Sequence, residues 1–479
     1  MPLKLYNNLT RKLETFEPLN SPQVGMYVCG ITPYDETHLG HARAYVTFDI
    51  IRRYLEYSGY KVKHIQNVTD IDDKIIQKSK VKSQKFSEIV EEYTRSYFEV
   101  MDALNVKRAN EYPKATENIP GMIDWIKRLT DKGYAYRLVD GIYFEVDKFQ
   151  DYGKLSHRKK EEQESGARVK VDQNKKNPLD FALWKFAKEG EPSWESPWGA
   201  GRPGWHIECS VMSTKYLGEQ FDIHGGGLDL QFPHHENEIA QTEAATGKTP
   251  WVKYWIHNGF VTINQQKMSK SLGNFFTLRE IYEKFDPMVV RLYLLSTHYR
   301  SPLNFSDASL AEAKEAYERL VGALENLDFL ISRIAGPEAK MEVEETDDEL
   351  AVFKRRLEEA MNEDFNTAGA LGIIFELVRF IHEHVKEEKI DKESLQDDRK
   401  TLVDLCEVLG LKLESRKTST SSVESLKIES REVEELIAQR ETARKSKDFK
   451  RADEIRKDLL ARGIILEDTP YGTKWSKNA

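Results

Sequence analysis

The sequence predicts an α/β fold: a parallel sheet with crossover helices, split by an insertion and followed by a helical bundle and a small C-terminal domain. Three observations lead there. Near the N-terminus a strand, a long amphipathic helix and a second strand follow one another, which is the repeating unit of a parallel sheet. From about Ile123 to Pro203 the composition changes, and buried strand character then resumes at Phe221-Asp222-Ile223-His224 and Trp255-Ile256-His257. After Ser306 the pattern turns helical. The 479 residues suit about three domains with ample length for a core.

Met26-Tyr27-Val28-Cys29 reads as a short buried strand ending at Gly30. The helix runs from about His38 to Tyr57, because Leu39, Ala42, Val46, Ile50, Tyr54 and Leu55 recur at helical spacing. Lys61 to Val68 is the second strand, with a charged helix beginning near Asp70. No Gly-x-Gly-x-x-Gly follows the first strand, which disfavours a dinucleotide site. Within the insertion, Tyr134 to Val146 resembles a hairpin and Lys159 to Lys176 is highly polar. Ala308 to Ile334 and Glu349 to Lys386 are long periodic helical segments. Leu413 to Ser430, rich in Ser and Thr, reads as a linker, and a helical pair follows at Arg431 to Ser446 and Phe449 to Ala461. There are no internal repeats.

Hydrophobic content of 39% and charged content of 32% fit a globular chain rather than a disordered or membrane one. The first residues lack the apolar run of a signal peptide, and no stretch approaches the roughly 18 apolar residues of a membrane span. Three scattered cysteines make no disulfide framework, so a reducing cytoplasm is the expected compartment. Cys406 reads as a buried apolar position. A net charge of −9 argues only weakly against nucleic acid as a partner. Between Arg440 and Arg462 nine Lys or Arg face five Asp or Glu. Such a run is usually a solvated helix face with paired charges, RNA contact being the alternative.

Four distant residues, Cys29, Cys209, His234 and Glu238, offer the thiolate, imidazole and carboxylate donors that Zn²⁺ favours. His234 and Glu238 stand four apart, so a helix begun at Pro233 would put both on one face. Buried thiols with a core histidine, or a structural zinc, are the plainer readings. Structural sites, however, usually draw on closely spaced pairs. A zinc hydrolase is disfavoured because His-Glu-x-x-His is absent, Ile239 standing four after His235. His38-Leu39-Gly40-His41 sits where the first strand hands over to the long helix. A helix N-terminus with two imidazoles attracts anions, and Gly40 lets a planar ligand approach the backbone. Two surface histidines are the plainer reading of that motif. Lys267-Met268-Ser269-Lys270-Ser271, closed by Gly273-Asn274, is a loop of donors suited to a triphosphate. A thiolate-loving metal beside an ATP site points to a substrate that is itself a thiol.

The paired His38–His41 and Lys267–Ser271 motifs are the signature of class I aminoacyl-tRNA synthetases. Cys29, Gly204-Trp205-His206-Ile207-Glu208-Cys209-Ser210, Asp222 to Glu238, Ala167-Arg168-Val169, Asp180 to Lys185 and Gly472-Thr473-Lys474-Trp475 resemble cysteinyl-tRNA synthetases. The resemblance runs from about residue 3 to 475, and the first motif departs from the class spelling by Leu39 for Ile. It implies a Rossmann-like catalytic domain in two halves, 1–122 and 204–305, around a connective insertion at 123–203. A helical bundle at 306–412, a linker at 413–430 and an anticodon-binding domain at 431–479 complete the implied order.

By the same resemblance one Zn²⁺ is held by Cys29, Cys209, His234 and Glu238. ATP meets His38, Gly40, His41, Asp229, Lys267, Ser269 and Lys270, with His38, His41, Lys267 and Lys270 carrying the rate. Cysteine meets Thr69, Trp205 and His224. Mg²⁺ accompanies ATP, although no carboxylate set for it stands out. The implied activity is ATP-dependent ligation of L-cysteine to tRNA(Cys) through cysteinyl-adenylate, by a cytoplasmic enzyme expected to be a monomer with no membrane partner. Two rivals are a ligase joining cysteine to an amino sugar in thiol biosynthesis and a catalytically inactive, zinc-stabilised RNA-binding scaffold. The segment Gly472 to Trp475 counts against the first, and intact His38, His41, Lys267 and Lys270 against the second.

Overall fold

An N-terminal hairpin, β1 (Lys4–Asn7) and β2 (Lys12–Thr15), leads into β3 (Gln23–Ile31), whose residues from Val24 onward are nearly all shielded from solvent. Burial on both faces is what a parallel strand between helical layers needs. The computed structural model describes every residue except 158–173, 264–265, 268–275, 335–348, 388–389, 414–422, 470–471 and 478–479. The polar stretch from Lys159 thus falls almost wholly outside the described residues, as do Ser269 and Lys270. Two units form: Met1–Glu315 with Arg355–Ile373 and Glu407–Leu411, and Ala316–Lys354 with Ile374–Cys406 and Lys412–Ala479.

In the first unit β3 continues into α1 (Leu39–Tyr57), β4 (Lys61–Val68), α2 (Asp73–Lys82), α3 (Phe86–Ala103) and α4 (Ile119–Asp131). The inserted segment contributes a four-stranded antiparallel sheet of β5 (Ala135–Leu138), β6 (Gly141–Phe144), β7 (Phe181–Phe186) and β8 (Gly201–Pro203). The chain then returns through a helix, Trp205–Leu217, to β9 (Phe221–Gly227), a second helix, Glu236–Thr246, and β10 (Val252–Asn258).

The principal sheet has the order β10-β9-β3-β4 with every pair parallel. From β3 the chain steps one way, to β4; from β9 it steps the other way, to β10. The reversal opens a crevice beyond the carboxyl ends of β3 and β9, where open α/β sheets bind ligands. Cys29 lies at that end of β3, and His224 to Gly227 at that end of β9. Gly30 makes the edge possible: a Cβ there would stand 1.6 Å from the Asn67 carbonyl oxygen on β4.

Phe232 is extended (φ −142°, ψ 131°), and the helical backbone expected from Pro233 follows it, passing through His234 and His235 into the helix Glu236–Thr246, so that His234 and Glu238 meet four residues apart. The predicted continuous segment Glu349 to Lys386 is two helices, Glu349–Met361 and Thr367–His384. Between them Asp364 and Phe365 adopt positive φ, which ends a helix. Asp364 is held there by Tyr6 N, Tyr299 Oη and Arg300 Nε, which donate to its carboxylate at 2.6–2.8 Å.

Deep in this unit the Arg291 guanidinium donates to Asp49 Oδ2 at 2.5 Å and to the Leu409 and Leu104 carbonyls at 2.9 and 2.8 Å, and neither side chain reaches solvent. Removing one member of a buried charge cluster is costly even though Asp49 keeps Arg53 Nε at 2.8 Å, because the remaining groups lose a desolvated partner. Arg291→Met should therefore cost about 3–5 kcal/mol of stability, read as a lowered denaturant midpoint; a change below about 1 kcal/mol would show that Asp49 is satisfied without it.

The second unit carries the helix Lys392–Val408, part of Asp307–Arg333, and a C-terminal module. The helix expected from Arg431 begins earlier, at Val423, and runs to Lys445. Glu424, Lys427 and Glu429 are good helix formers that outweigh the preceding Ser/Thr run. The helix Phe449–Ala461 and a hairpin not foreseen from the sequence, Ile464–Thr469 with Gly472–Lys477, close the module around Val433, Ile437, Ile455, Leu459, Ile464 and Leu466. Arg440 clamps the hairpin with two bonds to the Asp468 carboxylate, at 2.6 and 2.7 Å. No helix among the described residues is long and apolar enough to cross a membrane.

Candidate active site

Four donors converge at the base of the crevice. Cys29 Sγ lies 3.9 Å from Cys209 Sγ and 3.8 Å from Glu238 Oε1; His234 Nε2 lies 3.6 Å from Cys209 Sγ and 2.8 Å from Glu238 Oε1. A tetrahedral zinc with Zn–S near 2.3 Å and Zn–N or Zn–O near 2.0–2.1 Å requires edges of about 3.8 Å between sulfurs and about 3.3–3.5 Å elsewhere. The sulfur edges match, and the His234–Glu238 edge is a hydrogen bond that must open by about half an ångström. All four side chains are buried, and they form one of two donor clusters among the described residues. The second, Cys29, His224, His235 and Glu238, shares two members with it.

The electrostatics of the cluster are those of a cation site. Burial pushes the Cys29 thiol up, whereas the hydrogen bond from Cys29 draws Cys209 down to about 6. Burial works against the Glu238 carboxylate, but His224 and His234 pull it down to about 2. His234 is raised to about 10: burial opposes its charge and Glu238 overrides it. Two acids and an imidazolium crowd one dry pocket, an arrangement that a dication would relieve.

Three of the four donors have an imidazole behind them. His224 Nε2 stands 2.8 Å from Glu238 Oε2, His206 Nδ1 stands 2.9 Å from His234 Nδ1, and His235 Nε2 stands 3.1 Å from Cys29 Sγ. Trp205, 40% exposed, stacks on the His234 ring at 4.1 Å and so roofs the donors from the solvent side. Thr69 Oγ1 donates to Glu208 Oε2 at 2.9 Å and accepts from Asn67 Nδ2, while Asn67 Oδ1 accepts from Gly30 N at 2.8 Å. His206, His235, His257, Asn67 and Glu208 were not singled out as site residues from the sequence. The only available signal was that His206, Glu208 and His235 lie inside the motifs that carry the other ligands.

At the mouth of the crevice His38 is the N-cap of α1, and its Nδ1 accepts from Gly40 N at 3.0 Å and His41 N at 3.4 Å. That fixes the neutral tautomer with the hydrogen on Nε2. His41 stacks on His38 with centroids 3.7 Å apart, its Nδ1 facing His38 N at 3.5 Å. Burial lowers His38 to about 4, with nearby Asp229 opposing in part, and holds His41 well below the usual histidine range. Asp229 follows β9 in the short turn Leu228–Leu230. The backbone of Lys267 pairs with Thr262, and beyond the undescribed residues Thr277 bridges to His38, with Leu278 N donating to the Thr37 carbonyl at 2.9 Å. The segment leaving the Lys-Met-Ser-Lys-Ser motif is thereby tied to the histidine motif.

Comparison with known proteins matches the sequence in three consecutive pieces. Residues 15–315 match the family described as tRNA synthetases class I (C) catalytic domain, 356–414 the DALR domain, and 429–475 the cysteinyl-tRNA ligase anticodon binding domain. The cysteine–tRNA ligase of Clostridioides difficile (strain 630) is 49% identical over 477 residues, covering 99% of this chain and 100% of that protein. That of Geobacter metallireducens is 51% identical over 492 residues, covering 99% of each. The chain belongs to the cysteine–tRNA ligase family. It is a class I ligase in fold as well: methionyl-tRNA synthetase of Mycobacterium tuberculosis superposes with a TM-score of 0.58 at 16% identity, covering 81% of this chain and 89% of that one. At that identity the likeness speaks for the fold alone.

Proposed function

We propose that the enzyme activates L-cysteine with ATP and transfers it to tRNA(Cys), choosing cysteine through a zinc ion held by Cys29, Cys209, His234 and Glu238. The convergence of those four donors below the His38–His41 motif carries the reading. A bound zinc would supply a soft Lewis acid that takes a thiolate far better than a hydroxyl. An apolar pocket separates near-isosteres by only about 10²-fold, so the ligand set supplies discrimination that shape cannot. Thr69 and Trp205 line the cysteine pocket in this reading. His224, committed to Glu238, acts there by orienting that carboxylate.

Activation is in-line attack of the cysteine carboxylate on the α-phosphate of ATP, which forms cysteinyl-adenylate and releases pyrophosphate. The acyl group then passes to the terminal ribose hydroxyl of the tRNA with loss of AMP. Neither step demands a strong base, so positioning and charge stabilisation carry the rate. His38 and His41 are neutral at physiological pH and offer Nε2–H groups to the phosphate oxygens. Gly40 and Asp229 contact the adenosine, and Lys267, Ser269 and Lys270 close on the phosphates, which carry Mg²⁺. The proposed state is a cytoplasmic monomer.

Transfer of labelled cysteine to tRNA(Cys) tests the reading and excludes an amino-sugar ligase; absence of transfer, with cysteine-dependent pyrophosphate exchange intact, would favour that rival. The helices of residues 306–412 and the basic module 431–479 are assigned to tRNA. Deleting 431–479 should lower tRNA charging by about 10²-fold or more, the loss of several phosphate and base contacts, and spare pyrophosphate exchange. Equal loss of both activities would contradict that division of labour.

A further inference from the structure

The outer side of Cys29 holds a chain of imidazoles that the reaction above does not use. His235 Nε2 lies 3.1 Å from Cys29 Sγ, and His235 Nδ1 lies 2.9 Å from His257 Nε2 on β10. Both rings are buried, at 0% and 2% exposure. Resting on the zinc assignment above, we infer that His235, oriented by His257, donates an N–H···S hydrogen bond to Cys29 and so sets how strongly that sulfur donates to the metal.

Valence fixes the direction of the chain. A thiolate ligand has no proton, so Cys29 Sγ only accepts and His235 Nε2 must bear the hydrogen. The neutral ring then has a bare Nδ1, which accepts from His257 Nε2–H. His257 Nδ1 is left without hydrogen at the end of the chain, and it is among the buried nitrogens that have no hydrogen-bond partner. A direct role for His235 as a ligand is the competing geometry, since Cys29, His224, His235 and Glu238 also cluster. What favours the set with Cys209 and His234 is the Cys29–Cys209 sulfur spacing of 3.9 Å, the edge of a tetrahedral zinc, which the competing set lacks.

The consequence lies in the charge on the metal. Two thiolates and a carboxylate leave a dication with a net −1, a poor host for another thiolate. Drawing electron density from Cys29 with a neutral donor offsets that without adding charge, whereas the carboxylate that often backs a metal-binding histidine would add to it. The imidazole behind Glu238 shares this property, whereas the one behind His234 must accept from His234 Nδ1–H. His235 and His257 are thus positioning residues, acting on substrate through Cys29.

The test loads full-length wild type, His235→Gln, His235→Leu and His257→Leu with Co²⁺ and records metal content, the sulfur-to-cobalt charge-transfer band and cysteine affinity. Glutamine extends an N–H to about the place of the imidazole Nε2 and keeps the bond. One ion per chain is expected in every variant. The band moves to lower energy in His235→Leu and His257→Leu but not in His235→Gln, and cysteine affinity falls about tenfold in His235→Leu, the usual scale for an outer partner. An unmoved band in metal-loaded His235→Leu would reduce the histidine to packing, and loss of the ion from His235→Gln as well would make it a ligand; either overturns the inference. If His235→Leu fails to fold, the band of His257→Leu decides alone by the same criterion. Wild type without metal would instead defeat the zinc assignment itself, and the inference with it.

Discussion

Replacing Cys209 by alanine is expected to abolish the zinc content of the protein and to lower cysteine-dependent pyrophosphate exchange by at least about 10³-fold, the scale on which a metal contributes to binding and chemistry. Cys209 stands within 4 Å of both Cys29 Sγ and His234 Nε2, so its loss opens one face of the donor set. The side chain is 1% exposed on the helix Trp205–Leu217, and alanine suits a helix, so the fold should survive. Metal analysis with the exchange assay separates the two outcomes: an active, zinc-free Cys209→Ala enzyme would remove the ion from the selection of substrate. His234→Ala should behave alike, with an added cost because Glu238 loses one of its two imidazole partners.

His38→Ala carries the second large expectation, a fall of about 10²–10³-fold in the rate of adenylate formation, as when one preorganised donor is removed from a developing oxyanion. Because His38 also caps α1, alanine should cost about 0.5–2 kcal/mol of stability as well. His38→Asn separates these effects: asparagine caps a helix well but cannot extend its N–H as far as Nε2, so stability returns and the rate does not. Full activity in a stable His38→Asn enzyme would make the residue a cap alone.

The depressed pKa of His38 also has a pH signature. Near 4 in the folded chain and near 6.5 unfolded, this group leaves stability untouched above about pH 6.5. Below that the unfolded chain takes up the proton first, so acidification toward pH 4 favours unfolding. Over the same reasoning, adenylate formation should show no limb near pH 6.5 due to His38. A limb there that disappears in His38→Asn would mean that the ring titrates as an exposed histidine.

The sequence made the inner donors legible because their residue types are scarce and chemically specific: of three cysteines, Cys29 precedes Gly30, Cys209 follows Gly204-Trp205, and Cys406 lies in an apolar run. The sheet was legible for a similar reason, since Lys61 to Val68 and the α1 stripe have clear periods. Spacing along the chain was a guide at His234 too: past the extended Phe232 the backbone is helical, and His234 meets Glu238 four residues on. The imidazoles behind the donors were not legible, because a partner such as His257 for His235 comes from another strand and no local pattern encodes the pairing. The C-terminal hairpin was missed for want of an apolar alternation: Glu467, Asp468 and Lys474 interrupt it, and Arg440 on a separate helix supplies the clamp.

The choice of cysteine over serine through sulfur and metal is tested most directly by measuring pyrophosphate exchange with each amino acid before and after zinc is removed by a chelator. The account predicts about one zinc per chain, exchange with cysteine at least about 10⁴-fold faster than with serine, collapse of the cysteine rate on removal of zinc, and recovery when zinc is restored. Undiminished preference for cysteine in the zinc-free protein would contradict it.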